Sequence, residues 1–283
     1  MPLSPRTGPC PALSLYVLLA LVAVPAVAMP ASTPADMARD VHLAPHTARY
    51  ELSLASTSDG NTVAATGDMN FKVTDSCQNW ATQQQLRLQI ATREGQSSNL
   101  VSTYATLESK DGRHLSFDME ERDNGQLTQQ VRGEASLDAD GKGRVRFTLP
   151  TPATLALPAG TLFPMMHTAA IIRAAEEGKR SIDPLLFDGT SADGPSDSYV
   201  TILGWHPPPT DSDQPSLRKL GSGRVHVAFF SRKPGTMTPD YEVGMRYFAN
   251  GVSDRLRMNF GSFVMNGAMV SFTPGLPAAH CRS

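Results

Sequence analysis

From Ala48 onward, apolar and polar residues alternate with a period of two, and that beat limits what this chain can fold into. Ala48, Tyr50, Leu52 and Leu54 share one face of an extended segment, while Arg49, Glu51 and Ser53 share the other. The pattern returns in Met69-Phe71-Val73, Leu86-Leu88-Ile90, Leu115-Phe117-Met119 and Val145-Phe147-Leu149. It returns again in Val225-Val227-Phe229, Tyr241-Val243-Met245-Tyr247 and Leu256-Met258-Phe260. Side chains on a strand point to alternate faces, so each run buries one face and wets the other, as antiparallel sheets do. Arg87, Gln89, Arg144, Arg146, Arg255 and Arg257 fall on the wet face and read as a solvated sheet surface.

Turn signals separate the runs at short intervals. Asp59-Gly60, Asp111-Gly112, Asn124-Gly125, Asn250-Gly251 and Asn266-Gly267 are residue pairs that tolerate positive φ, and their spacing predicts consecutive hairpins rather than crossover helices. So many strands in one meander must curl, because a flat open sheet of that size leaves long sticky edges. The expectation is an all-β fold: a long antiparallel meander curled into a spiral or open barrel.

One segment departs from the alternation. Leu162 to Gly178 is rich in Ala and spaces Met165, Ala169, Ile172 and Ala175 at helical intervals. Pro164 suits a first turn and Gly178 a C-terminal stop, so a short helix over about 164–177 is expected, packed against the concave side of the sheet. Pro207 to Pro215 reads as an exposed, proline-stiffened loop.

The first residues look like an export signal. Arg6 precedes an uncharged apolar run from Ala12 to Val24, and Pro25-Ala26-Val27-Ala28 ends in small residues at the −3 and −1 positions. Cleavage between Ala28 and Met29 is expected, because the apolar run is shorter than the roughly 20 residues of a spanning helix. Residues 1–28 then form the cleaved signal, and residues 29–283 a single β-domain, soluble and periplasmic. The formal net charge is −2, and losing Arg6 makes it −3. Nothing in that balance favours a nucleic-acid partner held by bulk electrostatics. Cys10 leaves with the signal.

Cys77 and Cys281 remain, 204 positions apart. In an exported chain two thiols favour one intramolecular disulfide, and Trp80 is expected as a core aromatic beside it. A curled open sheet has two ends that nothing else joins. A bridge from the end of the chain to an early hairpin is therefore expected to keep the curl from unwinding.

Catalytic signatures are missing. There is no Gly-x-Ser-x-Gly elbow, and the seven histidines are scattered. A triad assembled only in space is the one catalytic arrangement the sequence leaves open. His42 and His46 precede the first strand and read as surface histidines rather than metal ligands. Asp138-Ala139-Asp140-Gly141-Lys142-Gly143 starts like a calcium loop, but Lys142 and Leu149 stand where its fifth and twelfth ligands belong, so it reads as a hairpin turn. Gly221-Ser222-Gly223 reads as a turn before a strand at Arg224–Phe230. No cofactor, metal or catalytic residue is expected.

Taken in order, these features resemble the EipB-type cell-envelope-integrity family, periplasmic proteins of alphaproteobacteria. The resemblance runs from Pro45-His46-x-Ala48-x-Tyr50-x-Leu52-x-Leu54 through Gly67-x-Met69-x-Phe71 to Asp75-x-Cys77-x-x-Trp80. It continues in the Ala-rich segment ending at Gly178, in Phe187-Asp188-Gly189, and in the tail from Asn250-Gly251-Val252-Ser253 through Gly261-x-Phe263 to Leu276-Pro277 and Cys281. It implies a β-spiral with a packed helix, a Cys77–Cys281 disulfide, and a role in envelope maintenance without enzymatic activity. The chain departs from the pattern at Gln78-Asn79 and Asn259. The first expectation is a non-catalytic binding or scaffold module for another envelope protein. The second is a carrier of a lipid or other small amphiphile on the concave face, and a hydrolase ranks last.

Overall fold

The structure, a computed structural model, describes residues 41–278 except 59, together with residue 281. The expected signal, Cys10 and the Ala28–Met29 cleavage point lie outside the described residues. Those described fall within one compact unit, Ser32–Ser283.

Eight long strands open the fold: β1 (His46–Thr57), β2 (Thr62–Ser76), β3 (Asn79–Thr92), β4 (Ser97–Ser109), β5 (His114–Asp123), β6 (Gln126–Leu137), β7 (Gly143–Leu149) and β8 (Ala153–Leu157). A short β9 (Thr161–Leu162) leads into helix α1 (Pro164–Glu176), then β10 (Ser181–Ile182) and β11 (Leu185–Leu186). The chain closes with β12 (Ser196–His206), β13 (Ser222–Phe230), β14 (Tyr241–Phe248), β15 (Ser253–Asn259) and β16 (Phe263–Pro274). All sixteen strands form one sheet, nearly closed and barrel-like.

Hairpins dominate, as the turn pairs predict. Asn124 and Gly125 both take positive φ between β5 and β6, and Gly141 does so between β6 and β7. The decisive pairing is not a hairpin. β1 lies antiparallel to β16, from His46 opposite Pro274 to Thr57 opposite Phe263. The first and last strands described therefore meet in the middle of the sheet, and the sheet's own ends are β8 and β9.

Cross-strand registry carries one face inward. Ala48, Phe71, Gln84, Tyr104, Met119 and Val131 stand opposite one another across β1 to β6. The parallel row His46, Val73, Thr82, Thr106 and Phe117 does the same. The expected apolar runs supply buried residues to this face, except Tyr241-Val243-Met245-Tyr247, whose four side chains are half-buried.

Helix α1 begins with Pro164 at its first position and stops at Gly178, whose φ is +74°. Nine of its residues are buried, including Ile171 and Ile172, so it is enclosed on nearly all sides rather than laid on a surface. Ile171, Ala174 and Ala175 pack on Val200, Ile202, Val225 and Val227, while Met165 meets Val73 and Trp80. After β11 the chain crosses to the inner face of β4–β6. There the Tyr104 hydroxyl donates to the Asp188 carbonyl, and Gln129 Nε2 donates to Thr190 O at 2.9 Å. Gly189 sits at φ +76° against the Phe117 ring, where a Cβ would lie 2.3 Å from a ring carbon.

Four sequence expectations are corrected. Asn266-Gly267 is not a turn but lies inside β16, because Gly267 passes between Leu52 and Leu256 with no room for a side chain. His46 is not a surface residue: it starts β1, is buried between Phe71 and Phe272, and bonds Ala44 O through Nδ1. Ser222 and Gly223 belong to β13, where Gly223 packs against the Trp205 ring. The 207–215 loop is only partly free, because Ser212 is buried and the Asp211 carboxylate is clamped by Arg246 and Arg255.

Candidate functional site

Where α1 enters the curl, its first free N–H groups need acceptors, and Phe163 offers no side-chain cap. The acceptor comes from 57 residues earlier. Glu108 of β4 is fully buried, and its Oε2 and Oε1 accept the N–H groups of Met165 at 2.7 Å and Met166 at 3.0 Å. Burial pushes this carboxyl up to about 8, against the downward pull of those two bonds. Trp80 and Leu115 stand opposite it on β3 and β5, and the Thr82 and Thr106 hydroxyls bond each other on the next inward positions. Glu108 is thus the anchor that seats the helix.

A Ser–His contact does form, between residues far apart in sequence. His167 Nε2 lies 2.7 Å from Ser198 Oγ, and Ser198 Oγ donates to Pro184 O at 2.9 Å. The polarity is wrong for nucleophilic catalysis. With its proton committed to a carbonyl, Ser198 accepts from His167 instead of being deprotonated by it. Both residues are buried, and desolvation holds the imidazole neutral by lowering it to about 4.

The inner face away from α1 is apolar. Its cluster, built around Leu52, Met69, Leu86, Leu88, Met258 and Met265, contains no helix residue. Leu54, Ile90, Leu100 and Phe260 border it and are only half-buried. An aromatic run joins β13, β14 and β16 along this face through Phe260, which follows β15. Phe229 stacks on Tyr241 at 6.1 Å, Tyr241 meets Phe260 at 5.6 Å, and Phe260 stacks on Phe263 at 5.2 Å. His167 joins its inner end, 6.3 Å from Phe229. Tyr241 also has its hydroxyl pushed upward by burial, so it stays protonated.

The outer face carries polar hollows. One of about 540 Å³ is lined by Lys72, Gln83, Gln85, Thr103 and the Asp118–Arg132 ion pair, which lie on rows opposite to the core. Among the described residues, no three His, Cys, Asp or Glu side chains gather as a metal site requires. None of the described helices is long and apolar enough to cross a membrane.

Cys77 and Cys281 are bonded. Cys77 occupies the β2–β3 turn at φ +59°, and Cys281 follows β16. Trp80 is buried nearby in sequence, with the Lys110 ammonium 4.5 Å above its ring. Sequence reasoning did not find Glu108, the His167–Ser198 pair or the aromatic run. Glu108 sits in Thr106-Leu107-Glu108 as any wet-face glutamate would, and its only local sign is strand parity with Tyr104 and Thr106.

Comparison with known proteins agrees with this architecture. A family model described as EipB-like matches residues 37–275. The cell envelope integrity protein EipB of Brucella abortus (strain 2308) is 27% identical over 242 residues, covering 83% of this chain and 86% of that protein. A crystal structure of a β-barrel-like protein of Brucella abortus, built on a domain of unknown function, superposes with a TM-score of 0.76. It is 27% identical, covering 83% of this chain and 99% of its own.

Proposed function

The chain belongs to the EipB-like family, and from that membership we propose that it is a non-catalytic periplasmic protein that contributes to cell-envelope integrity by binding another envelope component. The observation that carries the reading is a relative named for envelope integrity that matches along most of both chains. The buried Ser198–His167 pair supports the non-catalytic part, because its hydrogen bonds run opposite to those of an activated nucleophile. Export with cleavage between Ala28 and Met29, leaving residues 29–283 as one domain, is part of the same proposal.

Deleting the gene is expected to sensitise cells to detergent and to cell-wall antibiotics. Restoring the full chain should reverse this, and restoring residues 29–283 without the leader should not. A deletion strain with unchanged sensitivity would overturn the reading.

A second reading is favoured by the aromatic run from Phe229 to Phe263: an amphiphile carried on the apolar inner face. Native mass spectrometry of freshly purified protein should then show a co-purified hydrophobe that is lost in Phe260→Asp. Repeated preparations without any adduct would remove it.

A further inference from the structure

The sheet path ends at β8, and among the described residues only β7 pairs with that strand, along one of its edges. β7 pairs with it from Gly143 opposite Leu157 to Phe147 opposite Ala153. Along an antiparallel strand, alternate residues send N–H and C=O to opposite sides, so the set not bonded to β7 faces outward from the sheet. Ala153, Thr154, Leu155 and Ala156 are all exposed. Edges of this kind are commonly protected by an internal charge, bulge or proline. β8 has none of these within it: Pro152 and Pro158 bracket a run of Ala-Thr-Leu-Ala-Leu. The brackets limit an added strand to about five residues and define where it starts and stops.

Chemistry beside the edge is one-sided. Arg144 and Arg146 of β7 stand opposite Ala156 and Thr154, whose small side chains leave them uncovered. Neither arginine has an ion-pair partner among the described residues, although Arg132 pairs with Asp118 two strands away and Lys142 with Asp140 in the adjoining turn. The two arginines line a hollow of about 220 Å³ with His114, Ser116, Ser136 and a single carboxylate, Glu134. A strand added to β8 would lie two strand spacings from β7, about 10 Å. An arginine and a glutamate reaching toward each other close that gap.

Resting on the envelope-binding reading above, we propose that the free edge of β8 takes up an extended acidic segment of a partner protein by strand addition, with Arg144 and Arg146 receiving its carboxylates. Main-chain bonds would provide the affinity and the arginines the selectivity. A second copy of this chain fits less well. Two β8 strands paired edge to edge would place four unpaired arginines on one sheet face, the β7 strands only about 14 Å apart.

The probe is a fluorescein-labelled peptide of about seven residues, long enough to cover β8, with Glu and Val alternating. Its control alternates Lys and Val. The acidic peptide should bind saturably by anisotropy, and the basic one should not. Arg144→Glu with Arg146→Glu should weaken binding about tenfold or more. Thr154→Glu, an exposed change that leaves the core alone, should weaken it too. N-methylating one set of alternate peptide amides should abolish binding, while methylating the other set should leave it. Equal loss from both sets, equal binding of both peptides, or no binding at all would overturn the proposal. The envelope reading is tested separately in the deletion strain. If the strain is defective and a variant carrying Arg144→Glu, Arg146→Glu and Thr154→Glu together complements it fully, the edge proposal fails and the envelope role stands. If the strain has no defect, the envelope reading fails, and strand addition is then judged by the anisotropy results.

Discussion

Glu108 shows how much one side chain decides in this fold. It was placed by strand parity on the dry side of β4, and there it serves as the cap that α1 lacks. Its folded pKa of about 8 lies above the ordinary 4.5. The folded protein therefore keeps this proton over a range where the unfolded chain releases it. Its contribution is fully present below about pH 4.5 and is lost as pH rises through about 8. Glu108→Gln is expected to cost about 1 kcal/mol at pH 5, since an amide oxygen replaces only part of the cap. It should also flatten the decline of melting temperature between pH 5 and 8. Melts of both proteins across that range check this, and parallel pH profiles would contradict it. His167 acts on the other limb. Its folded pKa of about 4 lies below the ordinary 6.5, so stability should fall as pH drops from 6.5 toward 4.

At the scale of elements, the helix was legible in sequence and β4 was not. Pro164, Gly178 and the Ala-rich spacing between them are local signals, and the observed limits differ from the expected 164–177 by a residue at one end. In β4 the inward positions are Ser102, Tyr104, Thr106 and Glu108. Val101, Ala105 and Leu107 lie between them on the outward side, so the period-two signal points the wrong way, and the inward polar groups meet partners that arrive only in three dimensions. What α1 packs against was likewise hidden. Ile172 is fully buried beside Val41, Leu43, Trp205 and Tyr247, from three distant parts of the chain. Ile172→Ala is expected to destabilise the protein by about 2–5 kcal/mol in urea melts, whereas Glu177→Ala, on the exposed end, should stay within about 0.5 kcal/mol. Equal effects of the two would mean that the helix is not enclosed.

For the whole molecule, the disulfide has a different task from the one its spacing suggests. The bridge does connect the end of the chain to the β2–β3 turn. The strands it spans, β16, β1 and β2, are already hydrogen-bonded neighbours, and the sheet's open ends are β8 and β9, which the bridge does not touch. It staples the seam where the two ends of the chain pair, and it restricts the unfolded chain through a loop of sequence separation 204. Cys77→Ser is expected to cost about 2–4 kcal/mol and to lower the melting temperature, and reductant should lower that of the native protein to match the variant. A melting temperature unchanged by either treatment would show that the seam holds without it.

By itself the sequence determined the inward face of most strands, the helix, the hairpin turns and the pairing of two cysteines. All of these depend on neighbours within a few positions or on counting to two. Tertiary structure alone decided that β1 meets β16, that β8 has no partner beyond β7 among the described residues, and that His46 and Glu108 are buried. It also aligned the aromatics of β13, β14 and β16 with Phe260 into one run. The physical reason is that period two tells each residue which side it takes but never which strand stands beside it. That choice is made by contacts some two hundred residues apart, as Tyr50 with Ser253 and Cys77 with Cys281 show.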